Sequence, residues 1–300
     1  MDYIRSNYFS RVPDFLALAK PRVMSLAIFT AVVGMMTAPG SINITMAIFA
    51  IIAIAIGAGA AGALNMWYDA DIDAMMSRTA NRPIPSGRLS SREALLFGLI
   101  SAALSIVLLA ITTNLFAALL LMITILFYSV IYTMWLKFLT PHNIVIGGAA
   151  GALPPLIGCA AVTGSVTIEG SILFMIIFLW TPPHFWALAL YKFREYENAN
   201  IPMMPIVAGR QSTQRQVFVY SLALGPVGMM PWMIGSASFF YGIFAAIIGS
   251  IFIWHTWKVL TVNPNDPSFG NEKKLFVYSI RYLFWIFGAL LIDSIILSLV

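Results

Sequence analysis

The stretch from Asn65 to Arg88, NMWYDADIDAMMSRTANRPIPSGR, closes a long apolar run with Asp69, Asp71, Asp73, Arg78, Arg82 and Arg88, and Arg92 lies just beyond. Asn65, Asp69 and Asp73 are spaced four and four. On a helix that spacing stacks their side chains along one face, with Asp71 pointing roughly the other way. Three oxygen donors in a row suit a hard cation such as Mg²⁺, which is often shared with substrate phosphates. The arginines suit the phosphate oxygens themselves, because a planar guanidinium binds them bidentately. The stretch therefore reads as a Mg²⁺–diphosphate site at the mouth of a membrane helix. A solvated loop would also carry charge after such a helix. Two aspartates one turn apart repel, however, unless something positive sits between them, and ionisable groups near membrane depth mark functional sites.

A second dense stretch, WTPPHFWALALYKFREYENANIPMMPIVAGR, covers 180–210. Pro182 and Pro183 are expected to kink or break their helix and to free backbone groups that line a cavity. His184 follows at once, with Phe185 and Trp186 beside it, in a wall that could hold a flat aromatic ligand. A lone histidine among apolar residues is equally a hydrogen-bonded core residue. Lys192, Arg194, Glu195, Tyr196 and Asn198 then crowd one loop, either as a solvated rim or as a phosphate-facing wall across from Asp69 and Asp73. The segment 201–205, IPMMP, reads as a short non-helical lid or turn. Lys137, Thr140, His142 and Asn143 mark the edge of another span that opens on GGAAGA, where small residues mean close helix packing. Pro154 and Pro155 are expected to break that span. His255, flanked by Trp254 and Trp257, reads as an interfacial belt residue.

These clusters need membrane helices to hold them. The 300 residues are 60% hydrophobic and only 10% charged, a composition that excludes an ordinary soluble domain. Apolar runs that continue for about 20 residues, without alternation, argue against a barrel. The expected fold class is an all-α polytopic membrane protein with nine transmembrane helices. Its spans fall near 22–41, 44–66, 94–112, 115–135, 143–162, 170–190, 217–235, 238–257 and 276–299. The run GAGAAGAL at 57–64 lets neighbouring helices approach the Asp-bearing face. Cys159 lies alone in an apolar run, excludes an internal disulfide and reads as a small packing residue.

The net charge of +5 is a topological signal here and not a nucleic-acid footprint. With a cytoplasmic N-terminus, segments 1–22, 67–93, 136–142, 191–216 and 258–275 face the cytoplasm and hold sixteen of the seventeen basic residues. Arg281 lies near the cytoplasmic start of the last span, and the opposite loops hold none. The expected orientation is N-terminus in, C-terminus out, in a cytoplasmic (inner) membrane with the active site on the cytoplasmic side. The polar N-terminal segment does not read as a cleaved signal peptide. The dense loops follow the second and sixth spans. That placement suggests one domain over 1–300 built from two pseudo-repeats, 22–135 and 143–257, with a final helix 276–299 and an active cavity between the loops.

NxxxDxxxD followed by RTxxRPxPSG, here Asn65, Asp69, Asp73, Arg78, Thr79, Arg82, Pro83, Pro85, Ser86 and Gly87, resembles the first signature of the UbiA-type intramembrane prenyltransferases. Three further stretches, at 132–158, 180–190 and 191–205, are similar to the haem-farnesylating branch of that family, and the resemblance covers about 20–260. It implies nine helices around a central cavity. It also implies transfer of farnesyl from farnesyl diphosphate to a vinyl group of haem b with addition of water, giving haem o and diphosphate. By position, Asn65, Asp69 and Asp73 would hold Mg²⁺, while Arg78 and Arg82 would stabilise the leaving charge. Lys137, Lys192, Arg194 and Asn198 are counted with the diphosphate-facing side chains. The chain departs from the family where a second aspartate motif is expected, presenting Lys192, Glu195 and Asn198. That departure fits the haem branch, and Lys192 and Glu195 are carried as catalytic candidates.

Ionisation is the mechanism these residues allow: cations stabilise departing diphosphate, and an apolar, π-rich pocket holds the allylic cation. Trp67, Tyr68, Phe185 and Trp186 are placed to offer one, and no covalent nucleophile is needed. For haem, His184 is the first candidate iron ligand and His142 the second; the alternative is stacking, with the propionates on lysine or arginine. Membrane lipid and a haem-handling or oxidase-assembly protein that takes the product are the further partners expected. The rival readings are prenyl transfer to a quinone precursor or lipid alcohol, and a cation or organic-anion transporter. The second expects acidic residues mid-span, whereas these cluster beside arginines at one face.

Overall fold

The computed structural model describes residues 11–263 and 267–299. Residues 1–10 and 264–266, whose segments entered the signal-peptide and orientation arguments, lie outside the described residues, as does Val300. Every regular element among the described residues is helical. A short helix α1 (Arg11–Leu18) turns by 51° into α2 (Pro21–Thr37). Then follow α3 (Ile44–Tyr68), α4 (Ala70–Met75), α5 (Ser91–Thr112) and α6 (Leu115–Leu126). A π-helical stretch, Phe127–Leu136, joins α6 to the single turn α7 (Lys137–Leu139). The second half comprises α8 (Asn143–Thr163), α9 (Ile168–Tyr191), the short α10 (Phe193–Asn198) and α11 (Met204–Val207), then α12 (Gly209–Met233), α13 (Phe239–Thr261) and α14 (Gly270–Leu299).

Among the described residues, seven helical runs are long and apolar enough to cross a membrane, Leu115–Leu139 (α6 through α7) counting as one, and the bent pair α1–α2 makes an eighth. The helix at the seventh expected span, α12, is 25 residues long but falls outside that set. Its first two turns carry Arg210, Gln211, Gln214, Arg215 and Gln216, and Pro226 and Pro231 interrupt its apolar half.

Beside two smaller clusters around Met203 and Leu18, two large apolar cores hold the bundle among the described residues. One packs α9, α12, α13 and α14 around Trp186, Phe252, Tyr282 and Phe287; the other packs α3, α5, α6 and α8 around Ile54, Leu109, Leu121 and Ile157. Between them α2 crosses α8 at backbone distance. A Cβ on Gly34 would lie 2.0 Å from the Pro155 carbonyl oxygen, and one on Gly158 would lie 2.1 Å from that of Ala31. Cys159 Sγ donates to the Gly34 carbonyl at 2.8 Å, so this cysteine is indeed a packing residue at the crossing.

The proline pairs do not break their helices. Both α8 and α9 run on through Pro154–Pro155 and Pro182–Pro183, correcting the expectation of interrupted spans. All four prolines are buried among neighbouring helices, which hold the backbone in its helical path despite the missing N–H groups. The segment 201–205 is also only half non-helical: after Ile201–Met203, Pro205 sits in the first turn of α11, where no donor is required of it.

Candidate active site

The buried end of α3 carries the first motif. Asp69 closes α3 and opens α4, and its backbone stays in helical register, with the Asp69 amide donating to the Asn65 carbonyl at 2.9 Å and the Asp73 amide to that of Asp69 at 2.8 Å. The four-and-four spacing therefore keeps all three side chains on one inward face, at 6%, 4% and 4% exposure, while Asp71 points outward and is exposed. Asn65 Nδ2 donates to Asp69 Oδ2 at 2.7 Å and to Thr133 Oγ1 at 3.2 Å.

Three cations close on this face from three directions. Lys20 Nζ donates to Asn65 Oδ1 at 2.6 Å, Lys137 Nζ lies 2.7 Å from Asp69 Oδ2, and Arg82 Nη1 lies 2.6 Å from Asp73 Oδ2. The expected repulsion between the two aspartates is thus relieved by a separate cation on each. Asp69 Oδ1 remains, buried and without a hydrogen-bond partner. An anionic oxygen left unsatisfied in a buried setting is costly and is a position for a cation to fill.

Lys20 and Lys137 arrive by unusual backbone. Lys20 occupies the joint between α1 and α2 with φ 50°, a left-handed conformation that turns its side chain back toward α3. Lys137 follows the π-helix, in which the Thr133 hydroxyl donates five residues back to the Tyr128 carbonyl at 2.8 Å. The wider turn stacks Tyr128 on Tyr132, with ring centroids 5.4 Å apart, and Tyr132 packs over the bare backbone of Gly147. Sequence reasoning missed Lys20, Thr133 and the tyrosine pair. A lysine held against Pro21 at the head of an apolar run was the one available signal.

The arginine loop meets the second dense stretch through α10. Ser77 Oγ donates to Glu195 Oε1 at 3.5 Å, and Lys192 pairs with the same Glu195 at 2.5 Å. Burial pushes the Tyr196 phenol above its ordinary pKa, and the nearby Arg78 guanidinium acts against that shift. Arg78, Arg194 and Asn198 are exposed. Lys192, Arg194 and Glu195 line a cavity of about 630 Å³ together with Tyr191, Arg210 and Phe269; Asn65, Asp69, Asp73, Arg82 and Lys137 do not line it.

His184 is buried, its ring between Trp180 at 4.3 Å and Phe276 at 4.7 Å. Its Nδ1 lies 2.7 Å from Ser279 Oγ, whose own proton is donated to the Phe276 carbonyl at 2.6 Å. Ser279 therefore accepts from His184, which places the imidazole proton on Nδ1 and leaves Nε2 as a lone-pair donor. Histidines that bind metals are commonly fixed this way from behind. His142 is exposed and caps the start of α8. Phe185 and Tyr68 are exposed at 37% and 42%, whereas Trp186 is fully buried against Tyr220, so these aromatics do not form one wall.

The described chain is thus all-helical, with several membrane-length apolar helices and a buried Asn–Asp–Asp face ringed by lysine and arginine. The chain belongs to the UbiA prenyltransferase family, whose model matches residues 27–280. It is 60% identical over 283 residues, 94% of this chain and 90% of the relative, to protoheme IX farnesyltransferase 2 of Mesorhizobium japonicum. It is 56% identical over 280 residues, 93% and 88% of the two chains, to protoheme IX farnesyltransferase of Agrobacterium fabrum. Among solved structures it is similar to a digeranylgeranylglyceryl phosphate synthase at TM-score 0.79 and 19% identity, covering 95% of this chain and 99% of that one. It is also similar to a UbiA homologue from Archaeoglobus fulgidus bound to GPP and Mg²⁺, at TM-score 0.64 and 16% identity, covering 92% and 99%.

Proposed function

We propose that this chain transfers the farnesyl group of farnesyl diphosphate to a vinyl carbon of haem b, with addition of water, giving haem o and diphosphate. The observation that carries the diphosphate half is the buried Asn65–Asp69–Asp73 face with Lys20, Arg82 and Lys137 upon it. The haem half is supported by relatives at more than half identity over nearly the whole chain that are protoheme IX farnesyltransferases.

Asn65, Asp69 and Asp73 fit Mg²⁺, being hard oxygen donors with Asp69 Oδ1 open. Bound there, Mg²⁺ would neutralise charge on the diphosphate. Lys137 and Arg82, now on the aspartates, are positioned to turn to the diphosphate oxygens as the C–O bond breaks, and Arg78 stands at the outer edge of the same loop. Preorganised cations of this kind stabilise charge that develops only in the transition state. The stacked Tyr128 and Tyr132 supply π-faces for the allylic cation beside Asp69. The vinyl group attacks that cation, and water captures the resulting carbocation and loses a proton.

Haem is held from the α9–α14 side, with His184 Nε2 toward iron. The chain crosses the inner membrane nine times, α12 and the bent α1–α2 pair each counting as one crossing. Its N-terminus and site lie on the cytoplasmic side, where the basic residues concentrate. Incubation of the detergent-purified protein with haem b, farnesyl diphosphate and Mg²⁺ tests the reading by mass. The expected product is heavier than haem b by one farnesyl plus one water. Diphosphate release only with a phenolic or lipid acceptor would overturn the haem assignment and keep the diphosphate site.

A further inference from the structure

We propose that the cavity at the α9–α10 turn is the anchor for the carboxylate-bearing edge of the porphyrin, with Lys192, Arg194 and Arg210 as its cations. The inference rests on the haem reading above and assigns to these residues a role apart from the diphosphate.

The cavity, at about 630 Å³, falls within the roughly 300–1,000 Å³ of small-molecule sites. Its walls divide by chemistry. Tyr191, Phe193 and Phe269 give flat apolar faces, while Lys192, Arg194 and Arg210 give three cations, with Glu195 on Lys192 the one carboxylate among the described lining residues. Arg210 is held in place from two sides: Nη2 donates to Glu272 Oε1 at 2.6 Å, and the guanidinium lies 4.5 Å over the Phe269 ring. Glu272 itself is fully buried, so the arginine is fixed on the cavity wall by a partner behind it.

The cavity offers a Mg²⁺–diphosphate no metal partner: Asn65, Asp69 and Asp73 do not line it, and Glu195, the one carboxylate among its described lining residues, is paired with Lys192 at 2.5 Å. A flat apolar ring with two carboxylates on one edge matches both kinds of wall. Protohaem has that form, with its propionates on one edge and its vinyl groups away from it. Two ring contacts link the cavity wall to the histidine: the Tyr191 ring packs edge-on to Phe276 at 6.0 Å, and Phe276 stacks on His184 at 4.7 Å. Anchoring the propionates at the cytoplasmic rim directs the opposite edge of the ring into the protein, the orientation that presents a vinyl group to the allylic cation.

The test compares haem b with its dimethyl ester, in which the porphyrin is unchanged and both carboxylates are masked. The KM for each haem and for farnesyl diphosphate is measured in the native protein, in Lys192→Gln/Arg194→Gln, and in Arg210→Lys. The native protein should prefer the free acid by about tenfold or more, the scale of one charge-assisted hydrogen bond. The double variant should lose that preference while its KM for farnesyl diphosphate stays within about twofold, and Arg210→Lys should retain part of it. Equal use of acid and ester by the native protein would overturn this inference alone. A raised KM for farnesyl diphosphate in the double variant, with haem unaffected, would return Lys192 and Arg194 to the diphosphate. No haem-derived product from the native protein would remove the haem reading and this inference with it.

Discussion

Lys137 Nζ lies 2.7 Å from Asp69 Oδ2, with the two side chains 13% and 5% exposed. A buried pair of this kind leaves a costly charge behind when one member is removed. Lys137→Met should therefore lower kcat by about 10²–10³, the scale of one lost transition-state donor, and Lys137→Arg should recover part of it. Turnover with farnesyl diphosphate measures this, and an unchanged kcat in Lys137→Met would take the lysine out of the mechanism.

Asp69→Asn keeps the size of the side chain but removes the negative charge that a cation at the open Oδ1 would meet. Mg²⁺-dependent turnover should disappear while haem binding, followed by absorbance titration, stays largely intact. Equal loss of both would mean that the residue supports the fold or a shared site and not the metal.

Replacing His184 by alanine should shift the absorption spectrum of the bound haem. Ser279→Ala should give a smaller shift, because it frees the Nδ1 proton and with it the orientation of the ring. A spectrum identical to that of the native complex in His184→Ala would exclude this histidine as an iron ligand.

Gly147 tests the tyrosine wall. A Cβ there would meet the Tyr132 ring at 2.2 Å, so Gly147→Ala must move the ring. Overpacking costs about 1–3 kcal/mol, and the thermal midpoint in detergent should fall accordingly. Turnover should fall by more than the loss of folded protein explains; a drop in stability with full specific activity would make Tyr132 a packing residue only.

The Asp-bearing face was legible because α-helical spacing carries it: Asn65, Asp69 and Asp73 recur every four residues, and the backbone holds that period through the α3–α4 junction. Basic loops and apolar runs likewise announce a helical membrane protein. What stayed hidden depends on departures from regular geometry. Lys20 reaches Asn65 only through a left-handed joint, and Lys137 reaches Asp69 only after a π-helix. Pro154–Pro155 and Pro182–Pro183 misled in the other direction, since propensity alone says break and the surrounding helices say continue. The aromatic residues beside His184 looked alike in sequence, yet Phe185 faces outward and Trp186 inward, a division set by neighbours far along the chain.

The π-helix between Phe127 and Leu136 also makes the path of the backbone, and not only the side chains it carries, a part of the site. It closes its hydrogen bonds five residues back instead of four, so its turns are wider than those of an α-helix. If the same residues were wound as ordinary α-helix, Lys137 would rotate away from Asp69 with its identity untouched. The winding from Tyr128 to Lys137 therefore matters as much as the residues at its two ends.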